Sequence, residues 1–276
     1  MFREALRVTN NNIIITIPLV LFVYVLDLYT NFSKPGIDNF PKLILASVTV
    51  TFMIVVFCSG WFYMIKKAVE LSKKVFVLDL DRARETLKLY KKMPEGIGEL
   101  FIPFMFWYII LFVFQIFLFP AIYYIGSKLI GNFDDSFLAS IQSVQLSTLN
   151  EGHYFVDSLS FEQLIFLFKW SLLLMISFSI IAFFLMLWIP EIVYKTRNPL
   201  KALWYSWIKL FKNFFLSAKI YVGLWLLGFI LLFLNTFSLV NPAFYILINV
   251  MIYYYIVYAV ILVFMYYDKK YNNEEE

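Results

Sequence analysis

The sequence predicts an all-α, polytopic membrane helix bundle of six transmembrane helices, with amphipathic interfacial helices on its cytoplasmic side. Charged residues make up only 15% of the 276 residues and hydrophobic ones 62%, where a soluble domain carries roughly 25% charged. Six apolar runs are close to or beyond the ~18 residues that cross a hydrocarbon core of about 30 Å as a helix. Lysine and arginine also alternate between rich and poor connections along the chain. Unbroken apolarity, with a mean hydropathy of +0.78, argues against an outer-membrane barrel, whose strands alternate over about ten residues.

Residues 1–12 are largely polar and carry Arg3 and Arg7. Span one, 13–29, holds Pro18 and meets Asp27 near its end. It lacks a small-residue cleavage site, so it is expected to stay in the mature chain. Asn31-Phe32-Ser33 matches the glycosylation sequon and precedes span two, 43–65. Cys58, inside span two, is the single cysteine and reads as a small apolar side chain. A basic segment follows, from Lys66 to Lys92, with an interfacial helix expected near 82–93 and Asp81 as its cap. Pro94 and Gly96 are expected to interrupt the approach to span three, 101–124. The connection 125–161 carries Phe137, Leu138, Ile141, Val144 and Leu149 at roughly helical spacing, which predicts a short helix on the outer surface. Span four, 163–189, is expected to end at Pro190, and spans five and six cover 213–234 and 243–267.

The connections between spans one and two, three and four, and five and six are poor in lysine and arginine; the others are rich. Basic connections stay cytoplasmic, so both termini are expected in the cytoplasm and the chain in the cytoplasmic (inner) membrane. The single membrane domain 1–276 also reads as three two-span units, 1–70, 80–197 and 198–270. Glu4-Ala5-Leu6-Arg7-Val8-Thr9 matches Lys201-Ala202-Leu203-Trp204-Tyr205-Ser206, and Glu85-Thr86-Leu87 fits the same pattern less well. Units of two spans keep one orientation, which makes the repeats parallel.

The stretch 198–215, NPLKALWYSWIKLFKNFF, opens with a good N-cap, Asn198, and a good first helical residue, Pro199. Leu200, Leu203, Trp204, Trp207, Phe211, Phe214 and Phe215 fall on one stripe, and Lys201, Tyr205, Lys209 and Lys212 on another. A helix in the headgroup layer is built this way, with rings at the acyl boundary and lysines at anionic phosphates. Lys201, Trp204, Trp207, Lys209 and Lys212 are therefore the candidate lipid contacts. Docking of a soluble partner and simple anchoring of span five are the alternatives. Nucleic acid is excluded as a partner, because its binding needs a groove of phosphate contacts on a soluble domain.

Intramembrane ionisable groups are scarce, and only Gln115 and Asn249 are strongly polar well inside spans. Interhelical hydrogen bonding suits both, while a transporter or channel for a small or lipidic solute would place them in a hydrated cavity. His153 is the single histidine, too few for a zinc site. No nucleophile elbow or phosphate loop occurs. Asp134 and Asp135 read as a solvated pair. No enzyme activity, cofactor or metal is expected, and the predicted role is to organise lipid or a membrane protein partner.

The phrase Asn198-Pro199-…-Ala202-Leu203-…-Ser206-Trp207-…-Lys212-Asn213-Phe214, after a proline-terminated span, resembles uncharacterised six-span bacterial membrane proteins. These are similar to the membrane domain ahead of the catalytic barrel in some bacterial glycerophosphodiester phosphodiesterases. The resemblance implies an all-helical module without its own active site. The barrel needs about 200 or more further residues with carboxylate and histidine ligands, so no catalytic residue is carried over.

Overall fold

A computed structural model describes residues 1–33, 36, 39–133, 160–236 and 242–272, and every regular element in them is helical. Six helical stretches are long and apolar enough to cross a membrane: Ile13–Ser33, Phe40–Ser72, Leu80–Leu129, Phe161–Tyr194, Phe214–Asn235 and Phe244–Asn272. They coincide with the six predicted spans, so the chain is a multi-pass membrane protein of all-α class. The predicted outer helix, from Phe137 to Leu149, and the residues Asp134, Asp135 and His153 lie outside the described residues.

A short lead-in helix, α1 (Phe2–Asn11), turns through Ile13–Ile15 into α2 (Thr16–Ser33), and α3 (Phe40–Ser72) returns. The order then recurs. Helix α4 (Asp79–Lys88) and a 3-10 turn (Leu89–Lys91) lead into α5 (Lys92–Leu129), and α6 (Phe161–Leu185) with α7 (Trp188–Tyr194) returns. The third pass is α8 (Pro199–Lys212), α9 (Phe214–Thr236) and α10 (Pro242–Tyr267), ending in a π turn over Asp268–Asn272. Each lead-in packs on a return helix: α4 on α3, α8 on α7, and α1 on α10.

Local chemistry explains the boundaries. Asn39 caps α3, its side chain accepting from the Lys42 amide at 3.0 Å, with Pro41 in the first turn. Three expectations are corrected. Leu78, not Asp81, occupies the N-cap position of α4. Pro94 and Gly96 do not interrupt α5: Pro94 lies in its first turn, where no intrahelical N–H is required. Gly96 is buried where α5 crosses α3, and a Cβ there would stand 2.4 Å from the Cβ of Tyr63. Pro190 falls in the first turn of α7, and α6 ends earlier, at Leu185. A proline ring clashes with the carbonyl four residues before it, so the break falls at Met186-Leu187.

The described residues divide into two compact units, Met1–Ile109 with Phe184–Glu276, and Ile110–Phe183. In the first, burial concentrates at the lead-in ends of the helices. The buried residues of α3 all lie between Val55 and Leu71, Leu100 and Phe104 mark the beginning of α5, and α10 is buried from Val257 almost continuously to Asp268. Phe62 stacks on Phe104 at 5.6 Å and on Phe264 at 6.0 Å, tying α3, α5 and α10 together. Between lipid-embedded helices such packing replaces the hydrophobic effect as the cohesive force. The second unit is a helical hairpin in which Gly126 admits Trp170: a Cβ there would stand 2.3 Å from the indole.

Candidate lipid-contact face and its buried polar support

Helix α8 begins as predicted: the Asn198 side chain accepts from the amides of Leu200 and Lys201, both at 3.1 Å, and Pro199 follows. Its faces follow from the ~100° turn per residue. Pro199, Ala202, Ser206 and Leu210 form the buried stripe. Opposite it, Leu200, Trp204, Ile208 and Phe211 are exposed, Trp204 at 62%. Lys201, Tyr205 and Lys212 share an exposed flank between the two. Trp207 is half-buried and its indole N–H is enclosed without an acceptor among the described residues.

Lys209 departs from the predicted lysine face. It lies about 60–80° further round the helix than Lys201 and Lys212, at the edge of the buried stripe, and its amine turns inward. Its Nζ donates to Glu191 Oε2 at 2.7 Å and to the Tyr267 hydroxyl at 2.7 Å. The Tyr267 hydroxyl in turn donates to the same Glu191 oxygen at 2.6 Å. Only 2% of the Glu191 side chain and 19% of that of Lys209 are exposed. The ammonium also lies 4.9 Å from the Tyr267 ring centre and 5.6 Å from that of Tyr271. A carboxylate inside a helix bundle is tolerable when its charge is met and it accepts hydrogen bonds, as Glu191 does from Lys209 and Tyr267 through Oε2.

Beyond this triad, further polar contacts join other helices of the same unit. Tyr271 donates to the Lys209 carbonyl at 2.8 Å and accepts from the Asn213 amide at 3.1 Å. Ser217 and Tyr266 share a hydrogen bond at 2.8 Å. Buried Asp268 pairs with Lys73 at 2.6 Å, joining the end of α10 to the end of α3. Glu4 of α1 pairs with Lys269 at 2.5 Å, and that hydrogen bond holds the Glu4 carboxyl below its ordinary range. Glu99 joins Arg197 at 2.7 Å and the Tyr63 hydroxyl at 3.0 Å.

Neither the family models, nor the curated proteins, nor the solved structures contain a match to this chain. The cluster must be judged by its own geometry. One Glu191 oxygen takes both a lysine and a phenol, an arrangement suited to holding α7, α8 and α10 in register. Among the described residues there is no group of three or more His, Cys, Asp and Glu side chains that could hold a metal ion.

The two intramembrane polar residues belong to different units. Gln115 is exposed on α5 within the hairpin unit. Asn249 is half-buried on α10 of the other unit and its amide donates to the Tyr245 carbonyl one turn back, at 2.9 Å. The sequence missed the roles of Glu191 and Tyr267. Their signal was present as an acidic residue beside a helix-breaking proline and a phenol at the end of the last span. Neither position betrays its partner, because the contacts join residues 18 and 76 positions from Glu191.

Proposed function

We propose that this chain is a non-catalytic integral membrane protein of the cytoplasmic membrane, which organises anionic lipid, or a membrane partner, on a cytoplasmic face built by α8. One observation carries the reading: α8 is packed along its buried stripe while Trp204 and its apolar neighbours stand outward, flanked by Lys201 and Lys212. Tryptophan prefers the interfacial depth because its ring is apolar and its N–H polar. A lysine near an anionic surface contributes about 1 kcal/mol. The triad beneath supports this role by fixing the orientation of α8. The resemblance to the membrane domains of phosphodiesterases belongs to the same proposal and adds no active site.

Nanodiscs of mixed phosphatidylcholine and phosphatidylglycerol test it. The K201Q/K212Q variant of the full chain is expected to hold several-fold less phosphatidylglycerol at its periphery than wild type, with phosphatidylcholine unchanged. Equal enrichment around both proteins would refute the electrostatic part of the reading.

A further inference from the structure

A second cationic feature lies away from α8. A cavity of about 240 Å³ opens between α1, the end of α3 with the loop after it, and the start of α4. Arg7 and Asn11 of α1, Lys73 and Lys74 after α3, and Arg82 of α4 line it, and no Asp or Glu does among the described residues. Four cations therefore converge on one space from three elements.

Of the four, only Lys73 is paired with a carboxylate among the described residues. Asp268 takes Lys73 at 2.6 Å, Lys269 engages Glu4 at 2.5 Å, and Lys88 engages Glu85 at 2.5 Å. Glu4 feels the charge of Arg7, and Glu85 that of Lys74, but neither forms an ion pair with it among the described residues. Arg7, Lys74 and Arg82 thus face the cavity without an ion-pair partner among the described residues. The C-terminal end of α3 opposes an anion there with only about half a charge, so the cations dominate. The Phe76 ring lies 5.9 Å from the Arg82 guanidinium and packs against it.

We infer that this cavity is a binding site for a phosphate group, borne either by a lipid headgroup or by a small soluble molecule. Guanidinium groups present paired N–H donors that match phosphate oxygens, and Lys74 adds a point charge. The volume lies below the roughly 300–1,000 Å³ of sites for drug-sized ligands, which suits a headgroup-sized anion. Beside the cavity, Val75 and Val77 are each 95% exposed and Leu78 is 60% exposed. Apolar side chains displayed on so basic a loop fit insertion at a bilayer surface, which sets the cavity at headgroup depth. The inference does not depend on the reading of α8, and the two can fail separately.

The test uses the full chain. In phosphatidylcholine nanodiscs with a minor share of phosphatidylglycerol, native mass spectrometry counts the lipids retained on release. In neutral detergent, inorganic phosphate is titrated and thermal unfolding is followed. Wild type is expected to keep at least one anionic ligand per chain and R7Q/R82Q to bind it about tenfold or more weakly, while K201Q/K212Q, whose lysines do not line the cavity, is expected to respond to inorganic phosphate as wild type does. A phosphate-dependent stabilisation that R7Q/R82Q loses assigns a soluble phosphate. Retained phosphatidylglycerol without a phosphate response assigns the headgroup. R7K/R82K, which keeps the charge and loses the fork, should fall between wild type and R7Q/R82Q. If R7Q/R82Q does not fold, K74Q on the exposed loop gives the same readout. Equal binding by wild type and the cavity variants R7Q/R82Q and K74Q, or no binding of either probe by wild type, overturns the inference.

Discussion

At the scale of single residues, the Glu191–Lys209–Tyr267 contact carries the sharpest consequence. Removing one partner of a buried ion pair leaves the other charge unmet, which typically costs 3–5 kcal/mol, whereas replacing both by apolar or neutral groups is often tolerated. Lys209→Met should therefore lower the unfolding stability of the purified protein by about 3–5 kcal/mol. The double variant with Glu191→Gln should recover most of that loss. Denaturant unfolding in a fixed detergent measures both, and a double variant no better than Lys209→Met alone would mean that the pair is not coupled. Sequence periodicity placed Lys201, Lys209 and Lys212 on one polar face because it sorts residues only by polarity. Lys209 sits beside Ala202, Ser206 and Leu210 on the helix surface, and the small Ala202 and Ser206 were the unread sign of a packed face.

At the scale of elements, glycine and proline divide into two kinds that look alike in the sequence. Gly96 reads as a breaker but is a point of close approach between α3 and α5, with Gly60 serving the same crossing: a Cβ on Gly60 would stand 2.9 Å from the Met93 carbonyl oxygen. Gly98, two residues further along α5, has open space where a Cβ would go. The two positions should therefore respond in opposite directions to the same substitution. Gly96→Ala forces backbone or ring displacement and is expected to cost about 1–3 kcal/mol. Gly98→Ala relieves the helix of a flexible residue and should be neutral or stabilising by up to about 1 kcal/mol. Thermal melting of the two variants side by side decides the matter, since equal effects would show that helix propensity alone is at work. The spans themselves were legible because length and apolarity suffice for them; this crossing was not, because it depends on what Tyr63 and Met93 present across the gap.

At the scale of the whole molecule, the three lead-in helices obey one rule: each lies on a return helix, and α1 completes the set by packing on α10 near the far end of the chain. The matched sequence phrases give this rule a register. Ala5 and Ala202 are each 0% exposed, as are Thr9 and Ser206, while Thr86 at the corresponding place in α4 is 7% exposed. Short matches such as these were visible in the sequence, but only packing reveals why the small residues recur, namely to bring a surface helix close to the helix beneath it. Enlarging them should separate the two helices wherever they meet. Ala5→Leu and Ala202→Leu are each expected to cost about 1–3 kcal/mol by overpacking. The sites lie in different contacts, α1 on α10 and α8 on α7, so their effects should add within about 0.5 kcal/mol in the double variant. Denaturant titration of the two single variants and the double gives all three values. A large cost at Ala202 with none at Ala5 would mean that α1 does not close against α10 in the membrane protein.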